Sequence, residues 1–494
     1  MNIAIIGAGL SGSNILKNLF DNNLIEQNQI YIFEPREKLG SGFPYEFESE
    51  YKLLNVPEHF MSMDDDDMGF VKWLEANKTT YQNFEGMTPR NYYGQYLEDF
   101  YRPYYNHPNI NIVKKEVTDM EVVESFPKTY RLKTDQWEEP IFDAVFLTLG
   151  HPDYSDHYDL RDKKNYIHNP YPLEKMLAHL TKDDKIAMIG AGATSLDVFR
   201  YILQSYELEN PFYILTRDSI FNIPHIELDK SEFRFSINDE WVQTQLDENG
   251  GIIPLDNILH LVAEDFKSEG VAFHKCYERI KNNSLELYRE LLEEKPQDIA
   301  LIVEYFEHFT KYFSKLYGLL SKSDQNFYMD KYHDKIDAFR ALTPPNTATW
   351  LLDTIDAGKA LIIKGLEEIK VNDSGQFEAI ADENITVDYL INTTGFDFNI
   401  ERNAKRNTLI KNLYDKKIID SDEEGNSVNI TWPKATVLSK RYGELENLYM
   451  IGMWVFSIHY RANDIRSVKE VAKVVVENFT QKRSYTLRTG PQST

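Results

Sequence analysis

Three small residues at one spacing occur twice in this chain, in Gly7-Ala8-Gly9-Leu10-Ser11-Gly12 and in Gly190-Ala191-Gly192-Ala193-Thr194-Ser195. Residues so small let backbone amides approach an anion. The first glycine permits a tight turn, the second admits a pyrophosphate, and the third lets a helix lie close to a strand. The helix that follows then points its free amides and positive dipole end at the phosphates. Serine at 195 is small enough to keep much of that approach. Position 34 is Glu, 22 residues past Gly12, and closes the run Ile30-Tyr31-Ile32-Phe33. An acid there suits ribose hydroxyls. Arg217 stands at the same offset past Ser195, beyond Phe212-Tyr213-Ile214-Leu215. A guanidinium suits a 2′-phosphate, through paired charge-assisted hydrogen bonds. Asp218 beside it could instead take a 2′-hydroxyl. NADPH is favoured over NADH at the second site.

Both fingerprints sit where a dinucleotide site requires them, between a strand and a helix. Ile3 to Ile6 precede the first and Lys185 to Ile189 the second. Ile15, Leu16 and Leu19 give the first helix an apolar face, as Leu196, Phe199 and Ile202 give the second. Two sites in one chain suggest two nucleotides exchanging electrons.

Other residues invite chemistry less strongly. His151 and His459 are candidate proton carriers, with a structural role weighted above catalysis for each. No catalytic residue is assigned. The acids Asp64 to Asp67 read as the start of a helix, where carboxylates complement free amides and the dipole. No spaced ligand set accompanies them, so no metal is expected. Cys276 is the single cysteine, which rules out a paired-cysteine relay. The formal charge of −25 disfavours nucleic acid and anionic membrane as partners. With no signal-like segment and no long apolar run, a cytoplasmic location is expected.

The first fingerprint, Leu53-Leu54-Asn55-Val56-Pro57 and the stretch from Thr88-Pro89-Arg90-Asn91 to Leu97 together resemble a bacterial FAD/NAD(P)-binding protein family. That family lies within the two-dinucleotide-binding flavoproteins, related to flavin-dependent monooxygenases. Val145 to Pro152 and Asn392-Thr393-Thr394-Gly395 resemble the two crossings between domains, and residues 448–452 the late flavin strand. The resemblance implies an α/β fold of two Rossmann-like domains, the second inserted in the first. It implies FAD at Gly7, Gly9, Gly12 and Glu34, with Arg36 over the adenine and Asn55 and Arg90 near the flavin. Gly150, Gly395 and Gly452 complete the cofactor positions, while Gly190, Gly192, Ser195 and Arg217 serve the nicotinamide cofactor. Met453 stands where many relatives carry an Asp for the ribityl chain.

The expected division is an FAD domain at 1–150 and 380–480, an NAD(P) domain at 151–253 and 341–379, a helical insertion at 254–340 and a flexible tail at 481–494. In the insertion Ile302, Phe306, Phe309, Phe313, Leu316 and Leu320 form an amphipathic seam. The seam is read first as buried in its own domain, and otherwise as a homodimer face or a lid. The expected function is an FAD-dependent, NAD(P)H-reduced oxidoreductase of monooxygenase type, acting on a small molecule with dioxygen. The alternatives are a sensor or assembly protein that binds both nucleotides, and an oxidase reduced by its own substrate.

Overall fold

The computed structural model describes residues 1–64, 66–78, 87–138, 140–218, 220–230, 232–340, 342–460 and 464–489, with side chains described as far as Gln481. Asp65 of the acidic run and residues 490–494 of the expected tail lie outside that set. The helix Ile465–Thr489 passes the point where the tail was expected to begin.

Apolar runs without alternation become central parallel strands, because such strands are buried on both faces. Asn2–Ile6 is the middle of the first sheet, between Gln29–Phe33 and Ala144–Leu147. Ile110–Val113 closes one edge of that sheet, and Gly443–Met450 with Thr436–Ser439 the other. Only the last pair is antiparallel. The helices Leu10–Asp21 and Ile465–Thr489 pack against each other. Helix Arg90–Tyr105 lies against the first of them.

A second sheet is parallel throughout, in the order Ala360–Ile363, Phe212–Leu215, Ile186–Ile189, Tyr389–Asn392, Tyr166–Ile167. Its membership moves one expected boundary. Tyr389–Asn392, which a division at 379/380 gives to the FAD domain, pairs with Ile186–Ile189. The strands Glu368–Val371, Phe377–Ile380 and Ile385–Val387 form a small antiparallel layer over the same unit. The chain therefore returns to the first domain near Gly395.

The insertion also begins earlier than residue 254. The amide of Thr343 donates to the Ile223 carbonyl, and that of His225 to the Thr343 carbonyl. This tie closes a helical unit that starts near Ile223 and includes the helix Asp239–Glu248. Its central helix, Gln297–Leu319, buries five of the six seam residues inside the unit, and the sixth, Leu320, is buried just past its end. Among the described residues no helix is long and apolar enough to cross a membrane.

Candidate functional site

The two fingerprints match element for element. In each, the amide of the first glycine donates to the last carbonyl of the second strand: Gly7 to Phe33 and Gly190 to Leu215, both at 2.9 Å. Both glycines have positive φ, +99° and +110°. A threonine leaving the sheet braces each turn. The Thr148 hydroxyl donates to the Ile6 and Gly7 carbonyls, and the Thr393 hydroxyl to the Ile189 carbonyl. Those threonines open the two crossings, which then run side by side. The Ser155 amide donates to the Gly395 carbonyl, and His151 stacks on Phe396 with centroids 4.7 Å apart.

The third fingerprint position shows how serine replaces glycine. A Cβ on Gly12 would stand 2.0 Å from the Gly7 carbonyl oxygen, so no side chain fits. Ser195 is accommodated in the second turn and uses its hydroxyl. Its Oγ accepts the Gly192 amide at 3.1 Å and lies 2.7 Å from Thr393 Oγ1. A Cβ on Gly192 would meet nothing within 4 Å, which leaves an open cradle. Both helices start at a glycine N-cap without an acidic residue in the first turn. Their amides and dipoles thus remain available to an anion.

The ends of the second strands differ. Glu34 is buried beneath Arg36, and its carboxylate accepts four hydrogen bonds, from the Ala8 and Arg36 amides and from Nε and Nη2 of Arg36. Burial opposes its ionised form, yet Arg36 and the two amides hold its pKa below the ordinary value. Four bonds fill the acceptor capacity of a carboxylate. A ribose hydroxyl must therefore exchange with Arg36, whose side chain is the more exposed partner.

At the second site the strand register corrects the sequence count. The amide of Glu34 donates to Val113, and the spatially equivalent amide, to Ile363, is that of Thr216. The second unit is one residue shorter between glycine and strand end. Thr216, not Arg217, stands where the first site has its acid. Its hydroxyl is buried without a partner, and Arg217 and Asp218 follow as exposed residues.

Sequence reading missed a loop that completes the first cradle. The Gly40 amide donates to the Ala8 carbonyl, and a Cβ on Gly42 would lie 3.1 Å from Gly9 Cα. Ser41 between them is buried with its hydroxyl unpartnered. Both side-chain atoms of buried Asn91 and the indole nitrogen of Trp454 are likewise unpartnered. Buried orphans of this kind call for a ligand or water. The Gly-Ser-Gly run at 40–42 was the available signal. Gly452, with φ +98°, faces Ser11 at the head of the first helix, and buried Met453 follows it.

The two positions expected near the flavin have different surroundings. Asn55 is exposed on its loop. Arg90 turns its guanidinium toward the second domain, where Nη1 lies 2.9 Å from Asp197 Oδ2. The Tyr171 hydroxyl donates to the same oxygen at 2.6 Å. Lys52 joins them, 2.8 Å from Glu48 and 4.4 Å above the Tyr171 ring. Burial, then Arg90, lowers the Lys52 pKa, with Glu48 acting against them.

The histidines are held as structural groups. His459 is 1% exposed, stacked on Trp432, with Nε2 2.8 Å from Ser467 Oγ. Burial depresses its pKa to about 3. Burial, then Lys52 and Arg36, depresses that of His151 to about 4. Cys276 is buried against Asp298, and burial followed by that carboxylate pushes its thiol up to about 12. The acidic run precedes helix Gly69–Asn77, where Asp66 accepts the Met68 amide without acting as the N-cap residue.

Two parallel nucleotide-binding units, with one interrupting the other, define the architecture of two-dinucleotide-fold flavoproteins. Residues 4–152 match the family model described as FAD-NAD(P)-binding. Comparison with curated protein sequences gives no match. Among solved structures, the chain is similar to the cadaverine monooxygenase DfoA of Erwinia amylovora, bound to FAD. The TM-score is 0.58 at 11% identity, over 97% of this chain and 94% of that one. The L-lysine 6-monooxygenase of Pseudomonas syringae gives a TM-score of 0.59 at 10% identity, over 97% and 99%. The ornithine N-hydroxylase of Kutzneria sp. 744, solved with reduced FAD, NADP+ and L-ornithine, gives 0.56 at 12%, over 97% and 99%. At 10–12% identity these likenesses show a shared fold of two dinucleotide-binding units.

Proposed function

We propose that this protein is an FAD-dependent oxidoreductase reduced by NADPH, which oxygenates a small molecule with dioxygen. The observation that carries the reading is the pair of matched cradles with unlike strand ends. The first presents a carboxylate, Glu34, for ribose hydroxyls. The second presents the neutral Thr216 followed by the exposed cation Arg217. No carboxylate then stands at Glu34's place in the second strand, and a guanidinium is within one residue of it, nearer than Asp218, the pairing that suits a 2′-phosphate.

When bound, the flavin supplies hydride acceptance and dioxygen chemistry. The chain's residues bind and orient. Gly9 and the 40–42 loop close on the first pyrophosphate position, and Gly192 leaves room for the second. Ser41 and Asn91 offer hydrogen bonds that the fold leaves unmade. Oxygenation as the outcome draws support from the three solved structures above, each of which carries the name of a monooxygenase or hydroxylase.

Anaerobic stopped-flow mixing of the FAD-loaded protein with NADPH, and separately with NADH, tests the proposal. Fast loss of the oxidised flavin's visible absorbance, with NADPH preferred, is the expected result. A flavin that stays yellow with both nucleotides overturns it. On readmission of oxygen, an NADPH-dependent oxygenated product distinguishes a monooxygenase from an enzyme that releases only peroxide.

A further inference from the structure

The helical insertion holds a cavity of about 330 Å³ between the helices Leu255–Ser268, Phe273–Ile280, Gln297–Leu319, Lys322–Lys331 and His333–Asp337. Folded interiors leave few voids larger than a water molecule. A space of this size falls instead within the range of small-molecule sites, roughly 300–1,000 Å³. Its wall is the amphipathic seam itself: Phe306, Phe309, Phe313 and Leu316 face the space. The seam therefore spends part of its apolar surface on a cavity rather than on a neighbouring helix.

We propose that this cavity is a binding site for a small, uncharged, hydrocarbon-rich molecule. Every described lining residue is aliphatic or aromatic, and the only polar atoms on their side chains are tyrosine hydroxyls. Among the described residues no charged side chain lines the space. The nearby Arg340 is engaged, donating from Nη1 to the Phe306 carbonyl and to Thr310 Oγ1, each at 2.8 Å. Lys335 lies over the outer rings of Tyr277 and Tyr332. A carboxylate in the cavity would lose its hydration without gaining a cationic partner, against a protein of net charge −25. A neutral apolar body meets neither cost.

One end of the site carries polar order. Tyr328 lines the cavity, and its hydroxyl lies 3.2 Å from that of Tyr460, which is 2.8 Å from His333 Nδ1. Tyr317, also in the wall, stacks on Tyr460 with centroids 4.7 Å apart. Tyr460 follows the segment from Gly452 to His459, so the cavity leans on the same stretch of chain that borders the first fingerprint. Ala263 also lines the space and is exposed, which puts it at the rim. The site stands on this geometry alone, whether or not the redox proposal holds.

Calorimetric titration of the full chain with octan-1-ol, and with octanoate as the charged comparator, tests the site. Saturable binding of the alcohol, at least tenfold tighter than that of octanoate, is the expected result. Ala263→Trp, a rim substitution outside the packed core, should weaken the alcohol at least tenfold while the protein's thermal unfolding stays unchanged. Absence of saturable binding overturns the site. Alcohol binding that Ala263→Trp leaves intact places the ligand elsewhere and overturns it too. Tighter binding of octanoate overturns the assignment to uncharged molecules.

Discussion

The second nucleotide site turns on three consecutive side chains, Thr216, Arg217 and Asp218. Because Thr216 occupies the place of Glu34, a single substitution can restore an acid there. Thr216→Glu should raise the KM for NADPH at least tenfold and narrow its advantage over NADH, since a carboxylate repels the 2′-phosphate and accepts from a 2′-hydroxyl. Arg217→Ala should weaken NADPH by one to two orders of magnitude and leave NADH within about twofold, in line with about 1.5–3 kcal/mol for a hydrogen bond to a charged group. Steady-state flavin reduction with each nucleotide checks both. Equal losses for NADPH and NADH in Arg217→Ala would mean that Arg217 acts on something other than the phosphate. His459 argues at the same scale about acid. Its folded pKa lies near 3 and its unfolded pKa near 6.5, so the unfolded chain takes up a proton first. The stability it contributes is complete above about pH 6.5 and falls as pH drops toward 3, by about 1.4 kcal/mol per unit. Replacing it with Phe, which preserves the stack on Trp432, should flatten the fall in denaturation midpoint between pH 6 and pH 4.

The strand–turn–helix elements were the legible part of this chain, because their signals are local. Ile3–Ile6 and Ile186–Ile189 are unbroken apolar runs followed by glycines, and both became buried parallel strands. What counting along the chain could not supply was register between strands. The second unit is one residue shorter from glycine to strand end, so an equal offset pointed at Arg217 when the pairing puts Thr216 there. The boundary at 380 failed for a related reason: Tyr389–Asn392 carries no mark of which sheet it joins, since parallel pairing is decided by partners far away in sequence. The insertion's true start near Ile223 lacks helical periodicity and is fixed only by its tie to Thr343. Glycine roles, in contrast, become testable once geometry is known. Gly12→Ala forces a Cβ to 2.0 Å from the Gly7 carbonyl oxygen, so the first helix must shift. We expect a loss of about 1–3 kcal/mol, the scale of overpacking, together with weakened FAD retention. Gly192→Ala meets nothing within 4 Å, at a φ of −92° that alanine adopts freely. It should unfold like the parent protein and still raise the KM for NADPH, because the methyl group fills the cradle. Thermal unfolding and nucleotide titration of the two variants separate a packing glycine from a binding glycine.

Across the whole molecule, the proposed electron transfer requires that the two nucleotide units keep a fixed relation, and their contact has the chemistry of a clasp. The first domain contributes Glu48, Lys52 and Arg90, and the second Tyr171 and Asp197. All but Arg90 are less than a tenth exposed, so one cation and two carboxylates are buried beside a half-buried arginine, with formal charges that cancel. Such a set stabilises an interface only while complete, because removing one member strands a charge away from water. Asp197 also belongs to the helix Ala193–Ser205 that begins at the second cradle, so the clasp grips the nucleotide-binding helix rather than a peripheral loop. Asp197→Asn retains shape and one hydrogen-bond acceptor but leaves Arg90 and Lys52 against Glu48 alone. We expect a loss of about 3 kcal/mol, the lower end for breaking a buried pair. FAD affinity should remain within about twofold, since its cradle lies in the other domain. The rate of flavin reduction by bound NADPH should fall at least tenfold, because the second unit is then free to tilt from its working position. Pre-steady-state reduction at saturating NADPH, together with flavin titration, separates these effects. Unchanged reduction in a destabilised variant would show that the clasp holds the fold without setting the distance between the nucleotides.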